Sequence, residues 1–300
     1  MPPLNFLSVA SSKTPDSIRH MLGREIEAWA KKGVKVSVRE SLKGELLVFH
    51  CEIQGSTDSV RQEVLREIKD SVANELSHII IDEYEALLVN RLVDENYAYL
   101  SSRDRGVIKR KVAAALDGKS RQGSGFRDGA ERSRRKSRVW ARLAEYLEKE
   151  NEIVLEGFIT FRLKEYLEGL FDTVEEVAED HLTEREYREF LRLLRHFMGS
   201  QRNKTVEVNV VRGQDGYTLY DDKMEPVEGE VGRFLARPPQ GMDLGVDDII
   251  VSAVVTLAPE RVIWHGSKND SPCYDLIHDL FEDNVVSCPG CPLEKTPAPT

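Results

Sequence analysis

The sequence predicts an α+β protein, and three observations carry that prediction. Apolar residues alternate with period two over residues 34–53 and again over 206–220. From about residue 81 to 199 they recur instead at helical steps. Near the carboxyl end short apolar runs alternate with a helical pattern, as in parallel strands joined by a crossover. With 300 residues, 40% apolar and 31% charged, the chain is long enough for two or three cores and too apolar to be disordered. It reads as an α/β unit over 1–80, a helical domain over 81–202 with a polar loop at 117–131, and an α/β part over 203–300 ending in a Pro-rich tail.

The elements follow in order. Residues 4–10 form a short strand candidate, and Thr14-Pro15-Asp16 supplies a capping residue and then proline at the first helical position of a run that Gly33 stops. Val34, Val36 and Val38, then Leu47, Phe49, Cys51 and Ile53 after a turn near Lys43-Gly44, describe a hairpin with one buried face. Ser56-Thr57-Asp58 caps a helix carrying Val60, Val64, Leu65, Ile68, Val72 and Leu76. This β-α-β-β-α order is most of a ferredoxin-like unit lacking its last strand, and a carboxyl-terminal strand completing one shared sheet is the expectation that follows.

In the middle, Leu87, Leu88, Leu92 and Val93 mark one helix, Ser101 or Ser102 caps a second that ends at Leu116, and Val139, Leu143 and Leu147 mark a third. Capping-box spacing at Thr173–Glu176 and Thr183–Glu186 sets two candidate helix breaks. After Asn203, Val206, Val208 and Val210, a Gln214-Asp215-Gly216 turn and residues 217–220 read as a second hairpin. Residues 249–257 read as a continuous apolar strand, Val262-Ile263-Trp264 as another, Ser271-Pro272 as the start of a helix reaching Phe281, and Val285-Val286 as a final strand.

Composition bounds the compartment. The amino-terminal apolar run has no preceding basic residue and is too short for a signal core, and no run approaches bilayer-spanning length. Four cysteines make no disulfide framework. The expectation is a cytoplasmic protein with no membrane partner. Its charge is uneven: residues 103–142 hold fourteen Lys or Arg against four Asp or Glu, a net +10 inside a chain of net −10.

Residues 155–170 stand out, with Leu155, Ile159, Leu163, Tyr166, Leu167 and Leu170 at helical spacing and Phe158 and Phe161 loading the opposite side, which predicts a buried helix. Within it Glu156-Gly157-Phe158-Ile159-Thr160-Phe161-Arg162-Leu163-Lys164 resembles the central motif of the YtxC-like family of sporulation-associated proteins in spore-forming Firmicutes. The order of parts is similar over most of the chain: a short α/β start, a helical middle, and an α/β end close to Cys288 and Cys291. The resemblance implies a cytoplasmic protein connected with sporulation; it supplies no catalytic residues.

Three further groups are candidates. Arg132, Arg134, Arg135, Lys136, Arg138 and Arg142, preceded by Lys119, Arg121 and Arg127, could neutralise phosphates of a nucleic acid or meet a protein partner; the bland alternative is a solvated face, or one docked on the chain's own acidic helices such as 175–180. His265, Gly266, Ser267 and Lys268 follow a strand and lead to a helix start, where α/β sheets place anions, although an ordinary polar loop explains them too. Cys288 and Cys291 have zinc-knuckle spacing, but a zinc would need Cys273, His278 or His265 to fold back, so a Cys-bearing turn without cofactor is the expectation. His20, His50, His78, His181 and His196 lie singly, and no Ser-His-Asp or Cys-His order accompanies them. The reading that results is a protein without evident catalytic machinery that works through macromolecular contacts, with a nucleic-acid binder and a small-anion binder or enzyme as alternatives. The sequence leaves the oligomeric state open.

Overall fold

The computed structural model describes residues 4–53, 62–118, 130–201, 205–212, 217–228, 231, 245–266, 272–288 and 290. The chain divides into two units, 1–181 and 182–300. This differs from the three-part division expected at 80 and 202, because helices from the middle of the chain share one core with the amino-terminal sheet.

In the first unit, β1 (Leu4–Ser11), α1 (Pro15–Lys31), β2 (Val36–Lys43), β3 (Leu46–Ile53) and α2 (Gln62–Ile79) follow the expected β-α-β-β-α order. Gly33, at φ +84°, ends α1, and Gly44, at φ +61°, opens the tight β2–β3 turn, both conformations that disfavour a side chain. The sheet order is β2-β3-β1-β4. Its last strand is β4 (Glu152–Val154), pairing parallel to β1 through Ser8, Val9 and Ala10. The expectation of one shared sheet completed by a carboxyl-terminal strand is therefore corrected: a strand of three residues after a helix supplies the edge, too short to show a period in the sequence.

The helices fill one side of this sheet. Leu7, Val9, Phe49, Cys51 and Ile53 are buried with Ile18, Met21 and Leu22 of α1, Val72 and Leu76 of α2, and Val139, Leu143 and Leu147 of α5 (Ala130–Lys149). Burial pushes the Cys51 thiol up to about 12. Between α2 and α3 (Glu85–Asn96) the helix widens into a π turn at Ile80–Tyr84. Helix α4 (Ser102–Leu116) starts on Ser101, whose hydroxyl accepts from the Asp104 N–H at 3.1 Å.

The motif stretch is two helices, not one. Helix α6 (Leu155–Arg162) stops at Leu163, whose backbone leaves the helical region at φ −109°, ψ 40°, and α7 (Lys164–Ser200) then runs without interruption. The candidate breaks at Thr173 and Thr183 are corrected accordingly. Thr173 turns its hydroxyl back to the Gly169 carbonyl at 2.8 Å, so it bonds along the helix and does not cap a new one.

The second unit takes its first residues from α7 and has its own sheet, ordered β6-β5-β7-β8. The hairpin of β5 (Glu207–Arg212) and β6 (Tyr217–Tyr220) is antiparallel, whereas β5, β7 (Arg261–His265) and β8 (Val285–Ser287) are parallel. Two helices make the crossovers, α8 (Val246–Leu257) and α9 (Pro272–Phe281). Residues 249–257, expected as a strand, are thus helical. Asp247 and Asp248 occupy the first turn, where Asp248 accepts from the Gly245 N–H at 3.2 Å, and burial of Ile250, Ala253, Val254 and Val255 explains the continuous apolar run. Among the described residues no helix is long and apolar enough to cross a membrane.

One polar node lies inside the first unit. Arg135 on α5 donates from Nε and Nη2 to the Glu85 carboxylate at 3.2 and 3.1 Å and from Nη2 to the Leu116 carbonyl at 2.9 Å, while Tyr166 donates to Glu85 at 2.9 Å. The Arg135 and Glu85 side chains are only 11% and 7% exposed. Removing one partner of such a pair strands the other charge, so Arg135→Gln is expected to cost about 3–5 kcal/mol in urea melts. Arg134→Gln, one residue away and 70% exposed, should leave the melt unchanged.

Candidate functional site

Strand β4 delivers the chain into the first turn of α6, and this places Glu156 beneath the turn between β1 and α1. Its Oε1 accepts from Ser11 Oγ at 2.9 Å, the Ser12 N–H at 2.7 Å, Ser12 Oγ at 3.1 Å and the Lys13 N–H at 3.0 Å, and also from the Tyr84 hydroxyl. Burial alone would push this carboxyl up; the Tyr84 hydroxyl and the bonds from the β1–α1 turn outweigh it and hold Glu156 below the usual carboxylate range. The Tyr84 hydroxyl moves up, from burial first and from the adjoining Glu156 second.

The other end of the motif faces outward. Phe158 is buried and meets Tyr146 edge-on, with ring centroids 5.3 Å apart, while the Arg162 guanidinium lies 5.8 Å from the centre of the same Tyr146 ring. Thr160 bonds back to the Glu156 carbonyl at 2.8 Å. Phe161, in the last turn before the break at buried Leu163, is 71% exposed. The expectation of a buried helix holds for Leu155, Phe158, Ile159, Leu163 and Leu170 but is corrected for Phe161, because the early end of α6 turns its final residues out of the core.

Phe161 borders two clefts. One, of about 680 Å³, lies between the motif and the sheet face opposite the one that carries Leu7, Val9, Phe49 and Cys51; Ser8, Val48 and His50 line it with Phe158 and Arg162. His50 is held from both ring nitrogens, by Ser8 Oγ at 3.1 Å and Ser41 Oγ at 2.9 Å. The second, of about 850 Å³, is walled by Arg138 and Arg142 of α5, Arg162, and Lys164 at the start of α7. Gly157 lines the first cleft with room for a Cβ, so no close approach demands glycine there.

The structure divides the basic belt. Arg132 donates to Asp82 and to Asp117, each at 2.6 Å, Arg135 is buried on Glu85, and Lys136 meets His78. Arg134 and Arg142 make only long contacts, to Glu131 at 3.5 Å and to Glu145 and Glu165 at 3.8 Å, and exposed Arg138 makes no ion pair among the described residues. The internal partners are Asp82, Glu85 and Asp117, not residues 175–180. Lys119, Arg121 and Arg127 lie outside the described residues.

In the second unit His265 is buried, with Nε2 2.9 Å from Asn209 Oδ1 on the neighbouring strand, which withdraws it from the anion-binding loop proposed with Gly266, Ser267 and Lys268. Gly266 sits at φ +130°, with the Arg212 Cβ 3.3 Å from where its own would be. Ser267 and Lys268 lie outside the described residues, as does Cys291; Cys288 is half-buried and its N–H donates to the Trp264 carbonyl at 2.9 Å. Among the described residues no cluster of three His, Cys, Asp or Glu side chains is arranged to hold a metal. Sequence reasoning missed Ser11, Ser12 and Tyr84, which reach Glu156 across 72 to 145 residues of chain and carry no local signature. His181, read as solitary, is buried with Nε2 3.1 Å from Asp104.

The model of the YtxC-like family matches residues 70–286. Uncharacterized protein YtxC of Bacillus subtilis (strain 168) is 22% identical over 142 residues, which is 47% of this chain and 50% of that protein, so the similarity spans about half the length of that relative. No solved structure matches.

Glu156→Gln keeps the shape and removes the charge that five donors converge on, and is expected to lower stability by about 2 kcal/mol at neutral pH. Because the folded carboxyl titrates below its unfolded value, this contribution is present above about pH 4.5 and disappears as pH falls through the folded value. Thermal melts of wild type and variant should therefore converge as acid protonates the folded carboxyl; a gap that does not narrow as pH falls would refute the charge-based account.

Proposed function

The chain belongs to the YtxC-like family, and from that premise we propose that it serves sporulation in the cytoplasm as a non-catalytic protein, engaging a protein partner through the surface around residues 156–162. The sporulation half of the reading rests on what the family resemblance implies. The partner half rests on one observation: Phe161 is 71% exposed between two clefts while Glu156 and Phe158 of the same helix are tied inward. A lone exposed aromatic is ordinary on a protein surface. One flanked by concave, mixed-polarity walls is the form that interface anchors take.

Nucleic-acid binding through residues 103–142 is the rival reading, and exposed Arg134, Arg138 and Arg142 are the side chains that support it. Arg132, Arg135 and Lys136 contribute less to such a surface, since their contacts are internal. Gel shifts at low and physiological salt with an Arg134→Gln, Arg138→Gln, Arg142→Gln variant decide it: a salt-sensitive shift lost in a stably folded variant would favour nucleic acid. We propose further that the protein works without a resident cofactor. One zinc per chain by elemental analysis, lost in Cys288→Ser, would reverse that.

A strain lacking the gene is expected to grow normally and to form fewer heat-resistant spores. Complementation with wild type should restore the count, and complementation with Phe161→Ala, accumulated to the same level, should not. Full spore counts in the deletion strain would remove the sporulation role, and full rescue by Phe161→Ala would remove the motif surface from it.

A further inference from the structure

Resting on that partner reading, we infer that the cleft between α5 and the start of α7 receives an acidic segment of the partner, seated by an apolar side chain against Phe161. Three cations on its walls, Arg138, Arg162 and Lys164, are exposed and make no ion pair among the described residues, and Arg142 touches its carboxylates only at 3.8 Å. This contrasts with Arg132 and Arg135, which are paired at close range. The first cleft has no comparable surplus, since Lys43 and Arg162 share its lining with an equal number of carboxylates, Glu150 and Glu152.

The occupant's class follows from the rest of the lining. Leu163 and Tyr166 give the cleft an apolar floor and Phe161 an aromatic rim, so a purely ionic ligand would leave most of the wall unused. Glu131, Glu145 and Glu165 also line it. A nucleic-acid backbone, carrying a charge at every step, would bring phosphates against those carboxylates. A peptide can set its acidic side chains opposite Arg138, Arg162 and Lys164 and its amides or apolar groups elsewhere. In such an interface the apolar anchor supplies most of the affinity, and the rim cations set register and encounter rate.

Three labelled probes of equal length test this by fluorescence anisotropy with the full chain: an amphipathic peptide of Glu, Leu and Phe, the same peptide with Lys for Glu, and oligouridine. The acidic peptide is expected to bind, more weakly as salt rises, and to lose about tenfold in affinity in Phe161→Ala and in an Arg138→Glu, Arg162→Glu variant whose circular dichroism melt is unchanged. Lys164→Glu replaces the double variant if that one unfolds. An acidic peptide that binds no better than its Lys counterpart, or equally to the variants, overturns the inference, and so does oligouridine binding through the same side chains. The spore assay separates this from failure of the broader reading: failed peptide binding with poor rescue by Phe161→Ala removes only the acidic segment, whereas full rescue removes the partner surface itself.

Discussion

The Glu156 carboxylate is the constraint on which the arrangement around the motif depends, because donors from two separate parts of the chain converge on a single oxygen. The β1–α1 turn offers two backbone N–H groups and two hydroxyls, and the π turn before α3 offers the Tyr84 hydroxyl. Strand β4 pairs with β1 immediately before α6 begins, so the sheet register and the carboxylate fix the same junction twice. Without the charge, the N–H groups of the turn and the Tyr84 hydroxyl would compete for a weaker acceptor in a half-buried site. Such donors lose more than the average hydrogen bond when left unsatisfied.

Electrostatics in the first unit are organised by depth. The belt's inward-facing arginines meet Asp82, Glu85 and Asp117, and the π turn helps by bringing Tyr84 and Glu85, adjacent in sequence, both into buried positions. Burial raises the cost of an unpaired charge at Arg135 and Glu85, and that pair is matched, while Arg132 meets Asp82 and Asp117 nearer the surface. Further along α5 the cations emerge into solvent, where pairing contributes little to stability and its absence costs little. A surplus positive charge can persist at that end without threatening the fold, and it stays accessible to a partner.

Much of the fold was legible. The β-α-β-β-α start, the helices through 149 and the parallel strands around α9 all follow from period and caps, since each buries one face and signals it locally. What stayed illegible had nonlocal or degenerate signals. Strand β4 is too short to show a period, and the π turn has no residue signature. The 249–257 run is apolar except for Ser252 and Thr256, and those two, spaced four apart in line with Asp248 on the exposed helical face, were with the flanking Asp247 the clue to a helix. Thr173 and Thr183 matched a capping pattern inside a helix that simply continues. Of the candidate site, the motif and the belt were visible as composition. The division of the belt into paired and exposed halves was not, because the acidic partners lie 15 to 50 residues away.

The motif joins these two themes in one short helix. Glu156 pins its first turn, Leu163 ends it in the core, and Phe158 with Arg162 encloses Tyr146 between them. Phe161 is thus exposed at a place that neighbours on both sides define, so it is presented, not merely uncovered. A backbone fixed this way has less conformational freedom to lose when something covers Phe161, and a smaller loss leaves more of the apolar contact as net affinity. The inward contacts of the helix therefore bear on the outward surface: loosening Glu156 would free the whole end of α6 and blur the border between the two clefts while leaving every side chain that lines them unchanged.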